Sequence, residues 1–143
     1  MKEILPFHLA IPVQDIEKSK NFYKEVLECS EGRSSSTWVD LNFFGHQLVL
    51  HKKENLDKKE ENTTNLVDSK NVPIPHFGVV LTISIWKKLA ESLKNKEVKF
   101  IIDPHIRFEG ETGEQATMFF LDPSGNAIEF KAFQDIANQL FAR

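Results

Sequence analysis

The sequence predicts an α+β fold: two βαβββ modules whose sheets curve into a cup. Three observations predict it. Runs with a period of two and stretches with helical spacing follow one another in the order strand, helix, strand, strand, strand, and that order occurs twice. A histidine opens the first strand of each block, His8 in one and His76 in the other, each beside a small residue. Between the blocks, residues 52–73 are rich in Lys, Glu, Asn and Asp with almost no apolar side chain, the composition of a solvated connection.

A chain of 143 residues suits one domain and is too short for two ordinary ones, so residues 1–143 are read as a single domain with modules at about 5–51 and 74–133 and a linker at 52–73. With 41% hydrophobic and 27% charged residues it has the composition of a soluble globular protein, and no apolar run approaches the ~20 residues of a membrane span. The first residues do not resemble a secretory signal, and a cytoplasmic address is the expectation. The single cysteine, Cys29, excludes an intrachain disulfide and is read as a buried small hydrophobe. A net charge of −3 argues against a phosphate-binding surface, hence against nucleic acid, and leaves a small molecule as the expected partner. Twelve Phe against one Tyr make the interior aromatic, and some rings can wall an apolar pocket.

In the first block, residues 5–13 place Phe7, Leu9, Ile11 and Val13 on one face of a strand and His8, Ala10 and Pro12 on the other. Asp15 is a fitting N-cap for an amphipathic helix over residues 15–27, in which Tyr23 packs inward with its hydroxyl at the rim. Residues 30–36 hold a short strand or turn and residues 38–43 a strand. Phe44 and Gly45 make the turn into a last strand, residues 46–51, where Gln47, Val49 and His51 share a face. In the second block, His76, Gly78 and Val80 share a face, Ser84 caps a helix through Leu93, and Val98 to Ile102 form a strand. Residues 103–115 read as a loop containing His105, Arg107 and Phe108. Two strands follow, joined at Asp122, Pro123, Ser124 and Gly125, where Pro at the second position and Asp at the first fit a type I turn. Residues 134–142 suit a terminal helix with Ile136, Leu140 and Phe141 packed down.

On the last strand, Ile128 and Phe130 face one way and Glu129 the other. A carboxylate that leaves water needs a counter-charge, hydrogen bonds or a metal. His8 and His76 occupy matching positions, and pseudo-symmetry would bring both to Glu129. Two imidazoles and one carboxylate on one side of a metal suit non-haem Fe(II), and also Mn or Zn. His105 and Arg107, on a loop folded over that metal, are candidates to bind substrate.

The runs Phe7-His8-Leu9-Ala10-Ile11-Pro12-Val13, Pro75-His76-Phe77-Gly78-Val79-Val80 and Asp122 to Phe130 together resemble the vicinal oxygen chelate superfamily, which contains glyoxalase I, fosfomycin and bleomycin resistance proteins and type I extradiol dioxygenases. The resemblance spans residues 7–133. Asn42-Phe43-Phe44-Gly45-His46-Gln47-Leu48 and Pro104-His105-Ile106-Arg107-Phe108 look like a small branch of predicted extradiol dioxygenases. The resemblance implies metal ligands at His8, His76 and Glu129. Glyoxalase I would add a Glu on the fourth strand of the first block, where residues 47–51 have no acid. An acid-base His expected near that strand is His51 by strand parity, or His46 if a bulge follows Gly45. A Tyr of the extradiol enzymes falls at Phe119, which contributes a ring to the substrate pocket but no hydroxyl.

What the resemblance implies as function is ring-cleaving dioxygenation of a catechol-like aromatic small molecule with O2 at Fe(II), in a homodimer. The alternatives are a glyoxalase-type isomerase, epimerase or lyase using Zn, Ni or Mn, and a metal-free protein that binds a small molecule, as resistance members do.

Overall fold

The computed structural model describes residues 3–55, 63–67 and 70–143. The chain forms two compact units, one of Met1–Glu60 with Asp122–Asn126, the other of Glu61–Leu121 with Ala127–Arg143.

The first unit runs β1 (His8–Val13), α1 (Ile16–Asn21), a π-helical turn at Phe22–Val26, then β2 (Ser30–Ser34), β3 (Trp38–Phe43) and β4 (His46–Lys52). Asp15 caps α1 by accepting the Lys18 N–H at 3.0 Å. The strands are ordered β1-β4-β3-β2, with β1 parallel to β4. At Phe44 and Gly45, φ is 52° and 89°, the left-handed pair that a two-residue hairpin turn requires. That turn sets Phe43 opposite His46 with no bulge, so the β4 parity read from the sequence holds. One face buries Ile11, Val13, Val39, Leu41, Leu48 and Leu50 with Tyr23 and Ile16. The other carries His8, Gln47 and His51.

Asp122–Asn126 is anchored in this unit by polar bonds. The Tyr23 hydroxyl donates to Asp122 Oδ2 at 2.8 Å, Asp122 Oδ1 accepts the Ser124 and Asn126 amides, and the Asn126 side-chain amide donates to the Pro12 carbonyl. Tyr23 is fully buried, not at a rim, because Asp122 gives its hydroxyl a buried acceptor. The Asp122 carbonyl accepts the Gly125 N–H at 3.0 Å, the bond expected of the β-turn.

The second unit opens with an antiparallel pair, β5 (Thr63–Val67) and β6 (Lys70–Ile74). Then come β7 (His76–Phe77), β8 (Val80–Thr82), α2 (Ile83–Asn95), β9 (Phe100–Arg107), β10 (Gln115–Leu121), β11 (Ala127–Phe133) and α3 (Ile136–Gln139). The sheet is ordered β7-β11-β10-β9 with β8 also on β11. Its order of first, fourth, third and second strand repeats that of the first unit. Met118, Phe120, Ile128, Phe130 and Ala132 bury one face against Trp86, Ala90 and Leu93 of α2, and the Trp86 indole N–H donates to the Phe130 carbonyl at 3.0 Å.

Other expectations are corrected too. The stretch expected to be a plain connection carries the β5–β6 hairpin, although residues 56–62, 68 and 69 lie outside the described residues. The first strand of the second block is split at Gly78 and Val79. Thr82, not Ser84, caps α2. Residues 103–107, expected in a loop, continue β9, because Ile106 and His105 pair with Ala116 and Thr117. The terminal helix is only four residues long and leaves Phe141 85% exposed rather than packed down.

Candidate metal and substrate site

The site face of the second sheet is set by register. Glu129 lies opposite Phe119, Lys131 opposite Thr117, Thr117 opposite His105, and Gln115 opposite Arg107, so these side chains share the face away from α2. His76 joins them from β7, where it pairs with Ala127.

The Thr117 hydroxyl donates to Glu129 Oε2 at 2.7 Å, and Oε1 lies 3.5 Å from His76 Nε2 and 3.9 Å from Lys131 Nζ. His76 Nδ1 is 2.8 Å from the Pro73 carbonyl, an atom that can only accept, so Nδ1 carries a proton and Nε2 faces the carboxylate. Phe119, 1% exposed, meets the His76 ring edge-on at 4.8 Å and packs with Val72, Ile102 and Ala127. A Cβ at Gly78 would overlap the Glu129 carbonyl oxygen, so only glycine lets the chain pass β11 here.

His8 shows the same design in the first unit. Its Nδ1 lies 2.8 Å from Gln47 Oε1, which can only accept, so Nδ1 donates its N–H there and the lone pair sits on Nε2. His51 lies opposite Pro12 and Trp38 on the His8 face. His46 lies opposite the buried Phe43, and its Nδ1 accepts the Phe7 N–H at 2.8 Å. That bond holds Phe7 beside β4 and leaves its ring 65% exposed, out of the apolar stripe expected for it. Counting from the paired residues His8–Gln47 and His76–Ala127, Val49 matches Glu129 in position, so the first sheet lacks a carboxylate there.

His76 and Glu129 are brought together, with Phe119 against them and His105 and Arg107 on the same sheet face; His8, His51 and His46 stand in the first unit. Among the described residues no group of three or more His, Cys, Asp or Glu side chains could by itself hold a metal ion. The donor chemistry nonetheless fits a divalent cation. In the second unit His76 has Nδ1–H spent on the Pro73 carbonyl and Glu129 has one oxygen fixed by Thr117, the outer-shell pattern that orients metal ligands; in the first unit His8 has Nδ1 spent on Gln47 in the same way. Gln47, Thr117, Lys131 and the Pro73 carbonyl were not anticipated as site groups. Strand register was the signal for Thr117 and Lys131, which share parity with Glu129; nothing local marks the Pro73 carbonyl.

A family model described as Glyoxalase/Bleomycin resistance protein/Dioxygenase superfamily matches residues 6–130. A solved glyoxalase/bleomycin resistance protein/dioxygenase from Alicyclobacillus acidocaldarius is 32% identical, with a TM-score of 0.74 over 92% of this chain and 93% of that one. The fosfomycin resistance protein FosX of Listeria monocytogenes, 17% identical with a TM-score of 0.61 over 92% and 93% of the two chains, shares the fold. So does lactoylglutathione lyase of Agrobacterium tumefaciens, 12% identical with a TM-score of 0.63 over 100% of both. No curated protein matches. No helix among the described residues is long and apolar enough to cross a membrane.

Proposed function

The chain belongs to the glyoxalase/bleomycin resistance protein/dioxygenase superfamily, and we propose that it is a metal-dependent ring-cleaving dioxygenase acting on a catechol-like small molecule. Members of this superfamily include metal-dependent dioxygenases, glyoxalases and fosfomycin-resistance enzymes, and they commonly bind divalent metals. The observation that carries the reading is the Glu129–His76 pair, a carboxylate oxygen 3.5 Å from an imidazole nitrogen whose other nitrogen is already committed as a donor.

The proposed ligands are His76 and Glu129 with His8, and Fe(II) is the metal this set of two imidazoles and one carboxylate favours. A divalent metal there supplies a Lewis-acidic, redox-active centre able to draw the two neighbouring oxygens of a catechol and O2 together. The chain's own groups do the rest. Gln47, the Pro73 carbonyl and Thr117 fix the ligand orientations. Phe119 packs edge-on against the His76 ring, and its missing hydroxyl leaves hydrogen bonding of the substrate to His105 and Arg107. His51, on the His8 face, is the proton carrier in this reading, taking the proton a catechol oxygen loses and returning it to product. The lack of an acid at Val49 favours this reading over a glyoxalase-type isomerase, which would use one there. A homodimer and a cytoplasmic address belong to the same proposal.

Metal content of anaerobically purified protein, wild type and Glu129→Ala, followed by oxygen uptake with catechols, tests it. Stoichiometric iron that is lost in the variant, together with catechol-dependent oxygen consumption, is the expected result. Bound metal without oxygen uptake would replace the reading with a metal-dependent isomerase or lyase, and metal-free material in both proteins would leave a binding protein.

A further inference from the structure

The two oxygens of Glu129, a side chain only 9% exposed, have different neighbours. Oε2 takes the Thr117 hydroxyl, whereas Oε1 lies 3.5 Å from His76 Nε2 and 3.9 Å from the Lys131 ammonium. A carboxylate this far out of water needs positive charge nearby. Lys131 carries one, two residues along the same strand and on the same face. Because His76 also faces Oε1, the oxygen placed to meet a metal is the one the ammonium already approaches. We propose that Lys131 is a displaceable counter-ion: its ammonium neutralises Glu129 in metal-free protein and holds down the affinity for a divalent cation, so that Lys131 and the metal compete for Oε1. The inference rests on the reading of Glu129 as a metal ligand, and not on the reaction proposed above.

Lys131 can leave Glu129 without disturbing the sheet. Its backbone is paired on both sides, opposite Thr117 on β10 and Val80 on β8, so the strand keeps the ammonium within reach of the carboxylate. Its side chain is 51% exposed, and a flexible four-carbon stem can carry the charge into water. There is room on two sides: Glu129 and Lys131 together line a cleft of about 200 Å³ with His105 and Thr117, and another of about 270 Å³ with His76 and Gly78. At 3.9 Å the two charges attract without a hydrogen bond, and a half-exposed pair of this kind is weak. Lys131 therefore yields Oε1 to a divalent cation, and the repulsion between the two positive charges appears as lost metal affinity. The first unit carries neither partner. Counting from the paired residues His8–Gln47 and His76–Ala127, Val49 stands where Glu129 does and His51 where Lys131 does, so the ammonium occurs in the sheet that has the carboxylate.

The test is competition for Zn(II) between the full chain and a chromophoric chelator at low and high salt, with Glu129→Ala marking the zinc that belongs to this site. Lys131→Met keeps the stem and removes the charge, and it is expected to bind that zinc about three- to tenfold tighter than wild type at low salt. The gap should narrow at about 1 M salt, where exposed charges are screened. Lys131→Arg should match wild type. Saturating zinc should raise the melting temperature of Lys131→Met by more than that of wild type, as tighter binding requires. Unchanged or weaker zinc binding in Lys131→Met, or a Lys131→Arg protein that binds as tightly as Lys131→Met, would overturn the proposal. The readings fail separately. Zinc retained in full by Glu129→Ala removes Glu129 as a ligand and this inference with it, whereas zinc lost in Glu129→Ala but indifferent to Lys131 keeps the ligand and removes the counter-ion. Tighter zinc binding in Lys131→Met, in protein that consumes no oxygen with any catechol, upholds the counter-ion and removes the dioxygenase.

Discussion

His76 Nε2 faces Glu129 Oε1 at 3.5 Å, and the Nδ1–H of the same ring is spent on the Pro73 carbonyl. The opposite side of the carboxylate is fixed by Thr117, 2.7 Å from Oε2. Removing that hydroxyl in Thr117→Val keeps the side-chain shape and frees the carboxylate to rotate. Outer-shell substitutions of this kind cost about 10–100-fold in metal affinity. Competition with a chelator should show a loss in that range with an unchanged melting temperature; unaltered affinity would mean that Thr117 does not orient a ligand.

Gly78 should be intolerant of any side chain. Its backbone passes so close to the Glu129 carbonyl that a Cβ has no space, and backbone cannot yield as a side-chain tip can. Gly78→Ala should destabilise the second unit by about 1–3 kcal/mol, the usual cost of overpacking, and displace His76 from Glu129. Urea unfolding and metal content read the two effects together. A variant as stable as wild type with full metal occupancy would show that β7 can move aside at no cost.

The modules were legible because alternation and helical spacing are local, and they recovered both strand–helix–three-strand orders, the Asp15 cap, the turn at Phe44–Gly45 and the face shared by Gln47 and His51. The β5–β6 hairpin was not, since residues 63–74 include Asn65, Asn71 and Pro73 and lack the clean alternation of a half-buried strand. Residues 103–107 misled for a related reason. Asp103, Pro104 and His105 carry turn chemistry, yet β10 supplies partners that extend β9, with its register shifting between Thr117 and Phe119 to accommodate them. The placement of Glu129 away from the apolar pair could be read from parity alone, whereas Thr117 and the Pro73 carbonyl enter only through pairing and turn geometry. No sequence spacing encodes those.

His51 and His46 should separate in mutation. His46 spends Nδ1 on the Phe7 amide, so His46→Ala leaves that N–H unpaired and should cost about 1 kcal/mol of stability with little change in the rate profile. His51 lies on the same sheet face as His8. His51→Ala should lower turnover about 10²–10⁴-fold, the range for loss of a general acid-base, and remove one limb of the pH–rate profile. The opposite pattern, a stable His46→Ala protein without turnover, would hand the proton transfer to His46.

Tyr23 sets the alkaline limit of the first unit. Burial, then the neighbouring Asp122 charge, push its phenol well above the usual tyrosine range. A group whose folded pKa is raised contributes fully below its unfolded pKa, about 10 for tyrosine, and its contribution falls as pH climbs above that value, because only the unfolded chain then ionises. Burial likewise pushes the Cys29 thiol up to about 11, so it adds a decline in the same direction that begins nearer the ordinary thiol range. Wild-type stability should therefore hold between neutral pH and about 8 and drop through pH 9–11. Tyr23→Phe loses the 2.8 Å bond to Asp122 Oδ2, which keeps the Asn126 amide at 2.9 Å. A bond to a charged acceptor is worth about 1.5–3 kcal/mol, and urea unfolding at pH 7 should show a loss of that size. Above pH 10 the variant should fall less steeply than wild type, with the remaining slope removed by adding Cys29→Ala. Parallel profiles for wild type and Tyr23→Phe would show that the phenol does not control the alkaline transition.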